Sequence, residues 1–187
     1  MRNPTISAAR VSLHPKTLAD APRDYIWQKD AELAVLNAQM PIRIPFIQYL
    51  TQHTTFTNHN HVRTEYFAIK TLADSRHIGN CAVYDIDRDR IEAQIGIAIG
   101  DRRYWGQGYG RDTTLALIGY AFNHLGLRRL YLKTLQSNQR ARHCFGRCGF
   151  KPCGSLLENG RTFILMELLY EDYLSRELSR CQPAGTV

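Results

Sequence analysis

Between residues 91 and 126 the chain changes its hydrophobic period, and the change passes through three alternating glycines. Ile91, Ala93, Ile95, Ile97 and Ile99 alternate with Glu92, Gln94, Gly96, Ala98 and Gly100, the two-residue repeat of a strand with one apolar face. From about residue 111 to 125, Leu115, Ile118, Phe122 and Leu125 recur along one side of a helix that Gly126 is suited to end. Between them lies Tyr104-Trp105-Gly106-Gln107-Gly108-Tyr109-Gly110-Arg111. Glycines without a Cβ let the backbone bend sharply and approach a ligand. The first amides of the following helix have no intrahelical acceptor, and the helix dipole adds partial positive charge there. This order makes a pyrophosphate site, with Arg111, Arg102 and Arg103 adding cationic charge.

Two rival phosphate motifs fail on spacing. A dinucleotide fingerprint counted from Gly106 or Gly108 ends on Arg111 or Thr113 instead of glycine, and GLRRLYLK offers no acid for a ribose. No G-x-x-x-x-G-K-[ST] run occurs. A turn required only for packing remains the structural alternative. The nearly bare Gly96, Ala98, Gly100 face has room for a flat group or an amide-bearing arm, or for closely packed protein.

The remaining pattern reads as an α+β domain over residues 1–180, with a tail at 181–187. Strands are expected at 6–13, 64–71, 77–86, 91–99, 129–135, 150–157 and 161–170, with Asn159-Gly160 turning the last hairpin. They make a mostly antiparallel central sheet of about six to seven strands. Helices are expected at 22–37, just after Pro45, at 111–125, at 138–148 and at the C-terminus, with the polar stretch 53–63 as a loop.

The formal charge of +7 fits either a solvated basic surface or a polyanionic partner. Nucleic acid is not expected, because no helix-turn-helix or aromatic RNA-binding pattern is present. No stretch approaches the roughly 18 apolar residues of a membrane span, and the N-terminal segment lacks the apolar run of a secretory signal. Five cysteines without such a signal point to free thiols and a cytoplasmic setting. Their spacing fits no zinc template, and His53, His59 and His61 lack acidic or sulfur partners, so no metal is expected.

The run IGIAIGDRRYWGQGYGRDTTLALIGYAFNHLGLRRLYLKTLQSNQRARHCFGRCGFKPCG, continued by GRTFILMELLYEDY, resembles the core of GNAT acetyltransferases, particularly their RimJ/RimL-like branch. The resemblance covers roughly residues 64–173. It implies a GNAT-like sheet, acetyl-CoA as co-substrate, and transfer of acetyl to a primary amine of a small molecule or peptide N-terminus within a ternary complex. By resemblance, Trp105 to Gly110 fill the family's glycine loop, Trp105 departing at its first position as is usual in this branch. Amides from Gln107 to Thr113, spanning Gly108, Tyr109, Gly110, Arg111 and Asp112, would face the pyrophosphate. Main-chain groups near Ile97 and Ile99 would pair with the pantetheine arm, Asn138 would open the later cofactor-contacting segment, and Arg142 would add charge.

Two positions depart from the family. Phe145 stands where a tyrosine is often proposed to protonate the leaving thiolate, and Lys133 where some relatives carry a basic glutamate. These leave a non-catalytic acyl-CoA-binding or sensing module as the alternative function. Glu92 is the leading base candidate because it alternates onto the face of Gly96 and Ala98, with Glu65 behind it. Cys144 reads as a buried thiol. Tyr25, Trp27, Asp30 and Glu32 are candidates for lining an amine pocket. A homodimer is left open.

Overall fold

The computed structural model describes residues 4–58 and 63–181. Eight strands form one sheet: β1 (Ile6–Ser7), β2 (Val11–Pro15), β3 (Glu65–Thr71), β4 (His77–Asp87), β5 (Glu92–Ile99), β6 (Arg129–Leu135), β7 (Lys151–Glu158) and β8 (Arg161–Leu169). Their spatial order is β1-β2-β3-β4-β5-β6-β8-β7, and every neighbouring pair is antiparallel except β5 and β6. Six helices accompany them: α1 (Ala21–Lys29), α2 (Ala31–Leu36), α3 (Phe46–Asn58), α4 (Tyr109–Asn123), α5 (Gln139–Cys148) and α6 (Tyr170–Cys181).

The structure differs from the sequence reading in three places, the first two with a local cause. The N-terminal strand expected over 6–13 is a hairpin, since the Ala8 amide donates to Val11 O at 2.9 Å and folds the chain back. The helix expected over 22–37 breaks at Asp30, whose ψ of 119° is extended and whose carboxylate accepts from the Leu33 amide at 3.0 Å. Asp30 thereby caps a second helix, pairing one of the first-turn amides that the break would otherwise leave without an acceptor. The third helix runs on to Asn58 despite its polar composition. Residues 59–62, with the His59-Asn60-His61 group, and the expected tail beyond Cys181 lie outside the described residues.

The core is one cluster in which the apolar face of β5 meets α4. Ala93 and Ile95 are buried in it, together with Leu117, Ile118 and Ala121 of the helix and Val11, Leu13, Phe67 and Ile69 from the first half of the sheet. The same apolar stripe continues into Ile97 and Ile99, which are only partly buried. Half of β5 therefore anchors the strand and half lines a cavity.

The reason is that β5 and β6 pair only at their beginnings. Glu92, Ala93 and Gln94 are in register with Arg129, Leu130 and Tyr131, and the parallel ladder then ends. The backbone of β5 shows which groups are left facing the gap. Gly100 N bonds to Ile78 O on β4 at 2.9 Å, whereas Ile91 O accepts from Arg128 N at 2.7 Å on the β6 side. By strand alternation the C=O of Ile95 and the N–H and C=O groups of Ile97 and Ile99 point toward the opening.

The bare face of β5 is largely filled by the protein's own rings. A Cβ on Gly100 would lie 2.2 Å from the Trp27 ring of α1, and one on Gly96 would lie 3.1 Å from the Tyr84 ring of β4. Close packing explains those two glycines; Gly96 and Ala98 also border cavity space, and Gly100 does not. Gly100→Ala is expected to cost about 1–3 kcal/mol through overpacking. It should appear as a lower urea midpoint with an unchanged slope; an unchanged midpoint would contradict the seating of Trp27.

Candidate active site

The glycine turn is bent by two left-handed residues, Gly106 at φ +72° and Gly108 at φ +86°. Gly108 caps α4, and a side chain there would be strained by its backbone and blocked by its neighbour. A Cβ would sit 2.4 Å from the Arg10 guanidinium. Arg10, at the tip of the β1–β2 hairpin, straps the turn in place. Its Nε donates to Asp112 Oδ2 at 2.7 Å, its Nη1 donates to Gln107 O at 2.5 Å, and its Cζ lies 5.4 Å from the centre of the Tyr109 ring. The bond to Asp112 holds the Arg10 guanidinium above its ordinary pKa.

Among the described residues, the main-chain N–H groups from Gln107 to Arg111 take no protein acceptor. Asp112 N returns to Gly108 O at 3.0 Å as the first helical bond. The free amides thus stop at Arg111, two residues short of the expected Thr113. Asp112 also differs from expectation: its buried carboxylate belongs to Arg10, and a carboxylate turned toward a phosphate would repel it.

The turn opens onto a cavity of about 420 Å³. Ile97, Ile99, Trp105, Gly108, Gly110 and Arg111 all line it, so the structure brings these sequence candidates together. The Trp105 indole donates to Ile99 O at 2.7 Å, which uses that carbonyl and leaves the amide of Ile99 on the open edge. The Gln107 side chain folds back to donate to Arg103 O. Asn138 caps α5 through its Oδ1, which accepts from Ala141 N at 3.1 Å.

The cationic wall keeps Arg111 but takes its other arginines from elsewhere than the sequence indicated. Arg102 is held by Asp30 at 2.7 Å and Glu32 at 2.8 Å, and Arg103 by Asp101 at 2.6 Å. Arg142 donates to Gln136 O at 3.2 Å and does not line the cavity. Arg140 and Arg147 of α5 do, beside Arg111, and the Arg140 guanidinium lies 3.6 Å from the centre of the Trp105 ring. Residues 140, 143, 144 and 147 occupy one face at helical spacing, a signal present in the sequence that selects Arg140, His143, Cys144 and Arg147 over Arg142.

Cys144 lines the same cavity, half-buried. Hydrogen bonding with Cys148, one helical turn away, pulls its thiol down to about 7 against the opposing effect of burial, and Cys148 is pushed up correspondingly.

A second cavity of about 920 Å³ meets the first, the two sharing Ile97, Ala98, Asn138 and Phe145. Phe145 is buried at this junction, its ring edge-on to Phe150, and brings no hydroxyl. Tyr84 contributes a phenol that accepts from Gln94 Nε2 at 2.6 Å and that burial pushes up to about 12. Asn80 and Arg161, unmarked in the sequence, also line this cleft.

Four acceptor candidates are not brought here. Tyr25 donates to Ile44 O, Trp27 fills the space over Gly100, and Asp30 and Glu32 hold Arg102. Glu92 lies at the paired end of β5, where its Oε2 accepts from Arg129 Nη1 at 2.6 Å, and it lines neither cavity. Glu65 likewise accepts from the Tyr120 hydroxyl at 2.7 Å away from both. Among the described residues no cluster of His, Cys, Asp or Glu can hold a metal ion, and no helix is long and apolar enough to cross a membrane.

Two cavities that meet where a parallel strand pair splays, one of them carrying free amides and arginines, describe a two-substrate transferase with a diphosphate-bearing donor. The model of the acetyltransferase (GNAT) domain matches residues 10–151, and the chain belongs to that family. Its donor is acetyl-CoA, and it is an N-acetyltransferase.

The chain is 27% identical over 138 residues to the spermidine N(1)-acetyltransferase of Vibrio cholerae serotype O1, covering 71% of this chain and 79% of that protein. Among solved structures, spermidine N-acetyltransferase from Vibrio cholerae in complex with CoA and spermine superposes with a TM-score of 0.79 at 20% identity, over 88% of this chain and 98% of the other. An aminoglycoside acetyltransferase in complex with coenzyme A gives 0.73 at 16% identity, over 89% and 99%.

Gly108→Val is expected to weaken CoA binding by more than about tenfold, since it loses both the left-handed cap and the seat of Arg10. Titration calorimetry on the folded variant reads this directly, and an unchanged Kd would count against the turn as the diphosphate site.

Proposed function

We propose that this protein moves the acetyl group of acetyl-CoA to a primary amine by direct attack within a ternary complex, in the manner of the RimJ/RimL-like branch. The observation that carries the reading is the junction of the two cavities at Ile97 and Ala98, beside the open edge of β5 and the unpaired amides of the glycine turn. In this reading the amides from Gln107 to Arg111, with Arg111, Arg140 and Arg147, hold the diphosphate. The open-edge groups of Ile97 and the Ile99 amide pair with the pantetheine arm, as an added strand would. Trp105 positions that edge through Ile99, Asn138 fixes the start of α5 at the junction, and Tyr109 stiffens the turn beneath Arg10. When bound, acetyl-CoA supplies an activated acyl carbon.

The chain's contribution is orientation, charge and exclusion of water. An amide of the 95–99 segment aimed into the junction stabilises the developing oxyanion. The acceptor must arrive neutral, which costs an alkylamine of pKa near 10 about 4 kcal/mol at neutral pH. With Glu92 engaged by Arg129, we place no carboxylate of β5 in that role; the proton passes to water in the open acceptor cleft, past Tyr84 and Asn80. A thiol near pKa ~8.5 leaves with little help, which makes Phe145 in place of a tyrosine tolerable.

A reducing, cytoplasmic setting is supported by free thiols at Cys81, Cys144, Cys148 and Cys153. A single domain over 1–180 is supported by the core cluster that the described residues share. A homodimer is supported by the edge strand β7, exposed along nearly its whole length, and by a Vibrio cholerae spermidine N-acetyltransferase described as dodecameric.

Thiol release from acetyl-CoA against a panel of amines, scored by product mass, tests the reaction. Turnover with at least one amine is expected, and Glu92→Gln should keep kcat within about threefold while lowering stability by about 1 kcal/mol. Tight acetyl-CoA binding with no turnover across the panel would instead support a sensing module, and loss of kcat in a folded Glu92→Gln variant would restore that carboxylate as the base.

A further inference from the structure

The charge of the acceptor cleft points away from polycations. Its charged lining residues are Lys133, Glu158 and Arg161. Glu158 is already engaged by Lys133, its Oε2 accepting from Nζ. Arg161 is half-buried, and among the described residues no carboxylate pairs with it. The three side chains therefore leave one net positive charge facing the cleft, on a guanidinium that retains its donors. Asp85, on the bulge of β4, does not line the cleft. Asp24 lies behind Asn80, accepting from its Nδ2 at 2.7 Å and from Lys16.

The sequence removes the remaining source of negative charge. From Leu33 to Thr64 there is no aspartate or glutamate, across the whole segment that includes α3 and the connection to β3. A polyamine bound here would bring two or more ammonium groups to a site with no uncommitted carboxylate, beside an arginine. Like charges in a partly desolvated cleft repel, and a buried ammonium without a counter-ion is costly. The same guanidinium suits a carboxylate or phosphate, which it binds through paired, charge-assisted hydrogen bonds.

We infer that the acceptor is an amine that also bears an anionic group, and that Arg161 is the residue that selects it. This rests on the transferase reading above. The acetylated amine reaches the junction at Ala98 and Phe145, and the anion stays at the mouth of the cleft with Arg161. The carboxylate and phosphate sources share this chemistry and separate in the assay.

The test uses matched pairs of acceptors in the thiol-release assay with the full chain. The ω-amino acids from β-alanine to 6-aminohexanoate are compared with their amides, O-phosphoethanolamine with ethanolamine, and spermidine is run beside them. Varying the chain length covers the span between amine and anion. In at least one pair the anionic member is expected to lead by roughly ten- to a hundredfold in kcat/KM, the worth of one charge-assisted pair. Arg161→Ala should erase that lead by raising KM for the anionic acceptor while leaving KM for acetyl-CoA unchanged, and Arg161→Lys should restore part of it. Carboxylate pairs and the phosphate pair then report which anion the cleft prefers.

The inference is overturned if the uncharged member leads in every pair or spermidine is the best acceptor. It is also overturned if folded Arg161→Ala keeps the preference, or if Asp85→Asn lowers kcat/KM for the best acceptor by tenfold or more, which would mark a cationic acceptor. Absence of turnover with every amine, charged or not, would instead overturn the transferase reading itself.

Discussion

The parting of β5 from β6 after three paired residues is the constraint on which the rest depends. A sheet normally satisfies its backbone groups by continuing its ladders, and an interior gap between strands is costly unless something else bonds to the exposed edge. Here the core holds the closed end shut, with Ala93, Ile95, Leu130 and Leu132 buried among residues of the central cluster. Past Gln94 the two strands diverge and the apolar stripe of β5 becomes a cavity wall. An interior strand is thereby given the properties of an edge strand, open to a ligand that carries its own amides.

The turn that follows meets the same requirement at the end of a helix. Its unpaired amides are kept in position by a residue about a hundred places earlier in the sequence, Arg10, which bonds both to the turn's backbone and to the first turn of α4. Because Asp112 neutralises Arg10, this strap organises the loop without spending the positive field, which comes from Arg111, Arg140 and Arg147 instead. On the acceptor side the field has the same sign, which makes donor and acceptor clefts alike in charge although they receive different molecules. Phe145 and Ala98 lie at the junction between them beside Asn138, where the thioester of the proposed reaction would lose water before it is attacked.

Much of this was legible in the sequence where the information is local. The alternation of 91–99, the helical stripe that follows, the Asn159-Gly160 turn and the glycine loop each fix their own segment, and the structure agrees with all four. The eighth strand and the break at Asp30 were missed because a single hydrogen bond decides each of them, against a propensity that reads as continuous. Long-range pairing was not legible at all. Glu92 lies on the β5 face where alternation places it, but nothing in the sequence shows that Arg129, which also donates to Glu167, meets it at the closed end. Asp30 and Glu32 were reasonable attractors for a cation until the fold placed Arg102 against both. Arg142 and Arg140 differ only in the face of α5 they occupy, and there the period of the helix did hold the answer.

The most direct measurement is a crystal structure of the protein with coenzyme A bound. It should place the diphosphate oxygens within hydrogen-bond distance of the amides between Gln107 and Arg111, with the pantetheine amides paired to β5 at Ile97 in the gap beside β6. Coenzyme A bound elsewhere, with those amides still without a ligand and the β5 edge unpaired, would contradict the splayed strands as the origin of the activity.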